Sequence, residues 1–150
     1  MRGVGSTHQL RGRQAGVSLV EVMVAVLVLS IGLLGLAGLQ LRTLRNNQSA
    51  LERGVAVVEI HAIADAMRAD RINASNGLFD ITLTAPAPSG STFADTVLAS
   101  WRSNLISALG DDATGSVDCN GVLCTIIVQW NDTRASNGIA AQQLQTQVQL

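Results

Sequence analysis

The stretch Ala15-Gly16-Val17-Ser18-Leu19-Val20-Glu21 decides how the chain begins, because an apolar run from Val22 to Leu41 follows it at once. As a helix, this run of about 20 residues is about 30 Å long, which matches the hydrocarbon core of a bilayer. Glu21 stands at the edge of the run, where a carboxylate is costly unless something pairs with it. The sequence therefore predicts a membrane-spanning helix that begins with an acid in need of a partner.

The residues before this helix are basic. Arg2, Arg11 and Arg13 lie in the first 16 residues, which contain no acid, although the whole chain has a net charge of -1. In a secretory signal the apolar core precedes the cleavage site and is discarded, whereas here it follows Gly16 and would be retained. The positive-inside rule places the leader in the cytoplasm and the C-terminus across the membrane. Without the leader the chain is acidic, and such a charge does not predict a nucleic-acid partner.

The helix is predicted to continue past the membrane, from about Val17 to Arg71. Its apolar residues recur at steps of three, four or seven, which is typical of an amphipathic helix. The predicted stripe consists of Leu41, Leu44, Leu51, Val55, Val58 and Ala62, widened by Ile60, Ile63 and Met67. We expect this stripe to pack on the residues from Leu78 onward, and Gly77 to cap the end of the helix.

The residues after Gly77 predict a small antiparallel sheet and a second helix. Alternating polar and apolar residues predict strands over Phe79–Leu83 and Leu144–Leu150, and Leu123–Trp130 gives the strongest strand signal in the chain. Thr92 and Asp95 form a capping signal for a helix over Phe93–Leu109, which Gly110 would close. Turn-forming residues predict loops over 85–90, 111–115 and 131–138. The fold class is therefore α+β, with a long N-terminal helix packed on a small antiparallel sheet and a second helix.

The two cysteines, Cys119 and Cys124, are five positions apart. A C-x4-C pair without a nearby His is a poor zinc site, and a thiol redox site is more often C-x-x-C. In an oxidising compartment a disulfide is the default expectation, and it would contribute about 2 kcal/mol. Asn120-Gly121 instead favours a two-residue hairpin turn that would pair Cys119 with Val122. These two interpretations conflict on strand register.

No group of residues predicts catalysis, a cofactor site or a metal site. His8 lies in the leader, so His61 would be left to serve a catalytic set, and no Gly-x-Ser-x-Gly turn accompanies it. No Gly-rich phosphate loop follows a strand. We therefore expect no enzymatic activity and no cofactor, although a membrane-anchored periplasmic enzyme or binding module stays a further alternative.

The junction at Gly16 resembles the processing site of type IV prepilins and type II secretion pseudopilins. In that superfamily a prepilin peptidase cuts after Gly and methylates the new N-terminus, and a Glu is the fifth mature residue. The resemblance implies cleavage after Gly16, methylation of Val17, and a role for Glu21 in subunit assembly. It also implies three segments: a leader at 1–16 that is removed, a transmembrane and assembly half of the helix at 17–41, and a periplasmic pilin-like domain at 42–150.

Within the superfamily, the chain is most similar to the minor pilins called type IV pilus modification proteins. The similarity is carried by Glu21–Gln40, Leu44–Ala50, Ala64–Ala69 and Val128–Asp132. Two positions depart from the pattern: Val17 replaces the usual Phe, and Ala66 replaces an acid or Leu.

This similarity implies a low-abundance structural subunit that takes part in initiating pilus assembly. The implied partners are prepilin peptidase, other minor pilins, the major pilin and, before assembly, the lipid of the inner membrane. The implied location is the inner membrane, with one pass and a periplasmic C-terminal domain, and then the pilus. A minor pseudopilin of a type II secretion system would share the leader, the Glu and the fold, and is the alternative.

Overall fold

The computed structural model describes residues 16–135 and 137–150, so the predicted leader before Gly16 lies outside the described residues. The elements in chain order are α1 (Leu19–Ala69), α2 (Arg71–Ser75), α3 (Phe93–Leu109), β1 (Thr114–Asn120), β2 (Leu123–Trp130) and β3 (Gln142–Gln149). The chain forms two compact units that meet between Leu39 and Gln40. We call Leu19–Leu39 the N-terminal half of α1 and Gln40–Ala69 its C-terminal half. The predicted α+β class is confirmed.

The three strands form one antiparallel sheet in the order β1-β2-β3. One face of the sheet lies on the core, where Val117, Ile126 and Val128 join Ile60 and Leu105 from the two long helices. The opposite face carries mainly hydroxyl and amide side chains, so the alternation predicted for the last strand is confirmed, and the strand predicted over Leu123–Trp130 is present as β2. The core thus lies between the C-terminal half of α1, α3 and the inner face of the sheet.

The β1–β2 hairpin resolves the conflict over the cysteines. Cys119 pairs directly with Cys124, and the two form a disulfide with their Cα atoms 4.0 Å apart. Asn120 pairs with Leu123, so the two-residue turn consists of Gly121 and Val122. Gly121 adopts a positive φ of 62°, which glycine tolerates best. The predicted two-residue turn is therefore present one position later than expected, and in this register it is compatible with the disulfide.

The strand predicted over Phe79–Leu83 is wrong. Only Ile81 pairs with the sheet, through an isolated bridge to Val117. The carbonyl of Thr82, within the predicted strand, and that of Ala85, just after it, accept hydrogen bonds from the buried guanidinium of Arg102. These bonds hold the segment in a turn, since backbone carbonyls bonded to a side chain are not available to a ladder.

Strand β1, in contrast, was not predicted. Its sequence contains Gly115, Asp118 and Asn120, which are poor strand formers. Gly115 is required because the ring of Trp101 occupies the space of a Cβ, with ring carbons 2.3 to 2.9 Å from it. The glycine that weakens the strand signal is thus the residue that lets β1 approach α3.

The face of α1 that packs on the core was only partly predicted. Ile60, Ile63 and Met67 are buried as expected, together with Ala56 and Ala64. The predicted main stripe is wrong, since its large residues are mostly exposed: Leu41 by 58%, Leu44 by 65%, Leu51 by 68% and Val58 by 64%. The core face uses alanines because small side chains let a helix approach its neighbours closely, and a search for large apolar residues passes over them.

Helix α3 has the predicted bounds. Thr92 and Asp95 form a capping box, in which the Thr92 hydroxyl accepts from the Asp95 N–H, and the Asp95 carboxylate accepts from the Thr92 N–H. Gly110 ends the helix with a φ of 106°.

The long helix, predicted to reach about Arg71 and to be capped by Gly77, ends at Ala69 and is followed by the separate helix α2. Asn76 is the C-cap of α2, and Gly77 follows it with a positive φ of 81°.

Candidate functional site

The predicted processing residues lie at the start of α1. Gly16, Val17 and Ser18 precede the helix and are exposed. The first turn begins where the Val22 N–H donates to the carbonyl of Ser18 at 3.2 Å. A Cβ built on Gly16 would meet nothing within 4 Å.

Glu21 lies in the first turn of α1 and is exposed. The helix dipole favours a negative charge at this end. No hydrogen bond or ion pair joins its carboxylate to any residue in 16–135 or 137–150. The carboxylate is therefore available to a group outside the described part of the chain.

The N-terminal half of α1 exposes an apolar surface. Every large apolar side chain from Val17 to Leu41 is between 49% and 82% exposed. Among the described residues, α1 is the one helix long and apolar enough to cross a membrane. The hydroxyl of Ser30 donates to the carbonyl of Val26 at 2.7 Å, so the polar side chain within this stretch is satisfied by its own helix. Such a surface suits lipid or the apolar helices of other proteins.

Three glycines interrupt this surface at Gly32, Gly35 and Gly38. A Cβ at any of them would meet nothing within 4 Å. No neighbour inside the described chain requires these positions to be glycine. They lower the intrinsic stability of the helix by up to about 1 kcal/mol each relative to alanine.

The C-terminal half of α1 carries a group of polar contacts that the sequence did not predict. The buried carboxylate of Glu52 accepts from Arg134 at 3.0 Å and from Gln48 at 3.2 Å. One turn away, the hydroxyl of Ser49 donates to the buried carboxylate of Asp132 at 2.8 Å. These contacts join α1 to the loop between β2 and β3, whose residues lie more than 80 positions away. No local pattern could have predicted them.

Three ionisable groups have shifted pKa values. Burial raises the pKa of Glu59 on α1 and lowers the pKa of Arg102 on α3. Burial also raises the pKa of Asp80, as does the nearby charge of Asp118, while the hydrogen bond from the Cys119 N–H opposes this rise. None of the three groups lies near Gly16 or Glu21 in sequence.

The described residues contain no group of three or more His, Cys, Asp or Glu side chains that could hold a metal ion. His61 is exposed on α1. Both cysteines are in the disulfide.

Comparison with protein families found one match. Residues 11–37 match the family model of the prokaryotic N-terminal methylation motif. This motif is the site of cleavage and methylation by prepilin peptidase, and it supports a type IV pilin-like protein of a pilus or a pseudopilus. No curated protein and no solved structure matched the chain.

Proposed function

We propose that the protein is a minor pilin, a structural subunit that takes part in the initiation of type IV pilus assembly, as its similarity to the modification protein PilV implies. The observation that carries the proposal is the methylation motif at residues 11–37 joined to a helix whose apolar surface has no cover in the described chain. Apolar surface on this scale needs lipid or other helices around it. Lipid covers it before assembly, and the helices of other pilins cover it afterwards.

The first step in this role is processing by prepilin peptidase. Water hydrolyses the Gly16–Val17 peptide bond, which leaves a carboxylate on Gly16 and a free amino group on Val17. This amine then attacks the methyl group of a sulfonium methyl donor, which leaves as a thioether, and the methylated amine releases one proton. Gly16 suits this step because it is exposed and lies outside the helix. Removing the basic leader leaves the apolar helix at the N-terminus of the mature chain, which would be held in the inner membrane with its α+β domain in the periplasm.

The second step is pairing of Glu21 during assembly. An unpaired carboxylate in an apolar environment costs several kcal/mol, so its pairing with a neighbouring cation is strongly favoured there. The new amino group of Val17 in an adjacent subunit is such a cation. Glu21 therefore favours a neighbouring subunit whose Val17 amino group lies beside the Glu21 carboxylate. It contributes nothing to the core of the α+β domain.

Processing is tested by N-terminal analysis of the mature chain. Protein from membranes of cells with an active prepilin peptidase should begin at N-methylated Val17. Gly16→Leu should retain the leader, while Glu21→Ala should lose it as the wild type does. A mature wild-type chain that still begins at Met1 would contradict the proposed processing.

Assembly is tested by co-purification of Glu21 variants with partner pilins from membranes. Glu21→Ala and Glu21→Gln should recover less of the partners, because neither variant has the charge. Glu21→Asp keeps the charge and is the matched control. If Glu21→Gln recovered as much of the partners as the wild type and piliation were normal, Glu21 would contact the lipid head groups and have no role in assembly.

The pseudopilin alternative predicts a different phenotype. Deletion of a minor pilin gene should reduce surface pili and twitching and leave exoprotein secretion intact. Loss of secretion with normal pili would instead assign the chain to a type II secretion system.

A further inference from the structure

Asparagine is followed by glycine at three places in the chain: Asn76-Gly77, Asn120-Gly121 and Asn137-Gly138. In such a pair the peptide nitrogen of the glycine can attack the side-chain amide of the asparagine, because glycine has no Cβ to shield that nitrogen. The attack requires a glycine N–H that is free of an acceptor and a backbone that can turn. All three asparagines are exposed, so the surroundings of the three glycines decide how readily each pair reacts.

The fold protects two of the three pairs. The Gly77 N–H donates to the carbonyl of Ala74 at 3.0 Å. The Gly138 N–H donates to the carbonyl of Ala135 at 3.3 Å, and a Cβ added at Gly138 would collide with the carbonyl of Asp132. The peptide nitrogens of both glycines are therefore engaged, and each must leave its acceptor before it can attack.

The third pair, Asn120-Gly121, is open. It lies at the tip of the β1–β2 hairpin, where both residues are exposed. Neither the Gly121 N–H nor the Asn120 side chain has a hydrogen-bond partner in 16–135 or 137–150. A Cβ added at Gly121 would meet nothing within 4 Å. Glycine also tolerates a wide range of φ, so the peptide can turn toward the Asn120 side chain.

We propose that Asn120 is a site of spontaneous deamidation through a cyclic imide formed with Gly121. The Gly121 peptide nitrogen gives its proton to solvent and attacks Cγ of Asn120. The bond from Cγ to the side-chain nitrogen breaks, and this nitrogen takes a proton from solvent and leaves as ammonia. Water then opens one of the two carbonyl–nitrogen bonds of the ring. The ring nitrogen regains a proton, the new carboxyl group releases one, and the product is aspartate or isoaspartate.

The reaction changes the hairpin in two ways. Position 120 gains a negative charge beside Asp118, which is also exposed and lies two residues away on the same face of β1. In the isoaspartate product the chain passes through the former side chain, so the backbone gains one methylene next to the disulfide-bonded Cys119. The same turn provides the Val122 carbonyl to which the Leu150 N–H donates at 2.9 Å. Deamidation therefore alters both the charge of the hairpin tip and the geometry of the turn.

The test follows the full-length chain in detergent micelles by peptide mass spectrometry. Trypsin cuts after Arg71, Arg102 and Arg134, so the three Asn-Gly pairs fall in separate peptides, which are 72–102, 103–134 and 135–150. In the folded chain, peptide 103–134 should gain the mass of an Asn-to-Asp conversion at least about tenfold faster than the other two. The reason is that the glycines of the other two peptides react only after local opening. Fragmentation should place the change at Asn120.

The unfolded chain is the matched reference. In denaturant the protecting hydrogen bonds are lost, so the three peptides should convert at similar rates. The rate for peptide 103–134 in the folded chain should rise with pH, because the attacking nitrogen must first lose its proton. Asn120→Gln should abolish this conversion, since attack on the longer side chain requires a larger ring. Gly121→Ala should slow it, because a Cβ then shields the nitrogen, and the other two peptides should convert as in the wild type.

Either of two results would overturn the inference. One is that peptide 103–134 of the folded wild type converts no faster than the other two peptides. The other is that the Asn120→Gln chain converts in this peptide at the wild-type rate. If Gly121→Ala misfolds, as judged by tryptophan fluorescence, the comparison of the three wild-type peptides decides. The assay needs neither processing nor a filament, so its result is independent of the proposed pilus role.

Discussion

Both halves of α1 carry many apolar residues, but the surroundings of these residues differ. In the N-terminal half, large residues such as Leu34 are exposed, and a Cβ added at Gly32, Gly35 or Gly38 would meet nothing within 4 Å. In the C-terminal half, Ile60 and Ile63 are buried, and Ala56 and Ala64 have no exposed surface. The difference lies in whether the same chain supplies a cover. Apolar content alone predicts that a helix needs a partner, but it does not say where that partner is.

The acidic residues of the two halves differ in the same way. Glu52 in the C-terminal half is buried and paired with Arg134 from a distant loop. Glu21 in the N-terminal half is exposed, and no described residue binds its carboxylate. Glu52 is therefore paired within its own chain. For Glu21 we propose a partner from another subunit.

The sharpest test of this contrast replaces one large apolar residue in each half. Ile60→Ala should lower the free energy of unfolding of the α+β domain by about 2–5 kcal/mol, because it leaves a cavity in the core. Leu34→Ala should leave that free energy unchanged, since Leu34 is 74% exposed. Denaturant titration followed by tryptophan fluorescence measures both effects, because Trp101 and Trp130 are buried in this domain.

Either of two outcomes would break the contrast. A domain destabilised by Leu34→Ala would mean that the N-terminal half contributes to its core. A domain unaffected by Ile60→Ala would mean that the C-terminal half does not pack as described.

A second test concerns the ion pair that joins the C-terminal half of α1 to the loop after β2. Arg134→Ala should lower the free energy of unfolding by about 1–3 kcal/mol, because the buried Glu52 carboxylate loses its cation and retains only the Gln48 amide. Arg68→Ala is the matched control, because Arg68 also pairs with an acid in the C-terminal half of α1. It breaks a pair with Asp65 whose side chains are 45% and 74% exposed, so it should cost less than about 1 kcal/mol.

The cost of Arg134→Ala should shrink when Glu52 is also replaced by Gln. A double-mutant cycle that gives no coupling between positions 52 and 134 would show that the pair does not stabilise the domain.

The elements with local signals could be predicted from the sequence. Helix α3 has a capping box at one end and a glycine at the other, and both lie within the helix's own sequence. Strand β2 was predicted because Leu123–Trp130 gives the strongest strand signal in the chain, and it has the predicted bounds. The N-terminal methylation motif was also visible, because the basic residues, Gly16, Glu21 and the apolar run follow one another directly, and the family match at residues 11–37 includes Gly16 and Glu21.

The errors arise where distant residues decide the structure. The segment around Thr82 has a strand-like pattern, but Arg102, 20 positions later, takes its carbonyl. The sequence of β1 does not look like a strand, because Gly115 is selected by the ring of Trp101. The core face of α1 was misjudged because apolar residues lie on more than one of its faces, and only the tertiary structure selects between them.

The smallest expected effect concerns Glu59, which lies in a groove between α1 and α3 beside Trp101 and Asn104. Burial raises the pKa of this carboxyl in the folded chain above its value in the unfolded chain. Folding therefore favours the protonated form, and stability falls as the pH rises from about 4.3 through the raised folded pKa. Glu59→Gln should stabilise the domain at pH 7 by less than about 1 kcal/mol, since the carboxylate is still largely in water.

The gain from Glu59→Gln should vanish below about pH 4, where the wild-type carboxyl is protonated in both states. The substitution leaves the Glu59 carbonyl free to accept from the Trp101 indole at 3.0 Å, so the contact between the two helices is preserved. Denaturant titrations of both chains at pH 3 and pH 7 measure the difference. A variant that is less stable than the wild type at pH 7 would show that the Glu59 charge has a favourable partner. The C-terminal half of α1 would then hold a further acid paired within the chain, as Glu52 and Asp65 are.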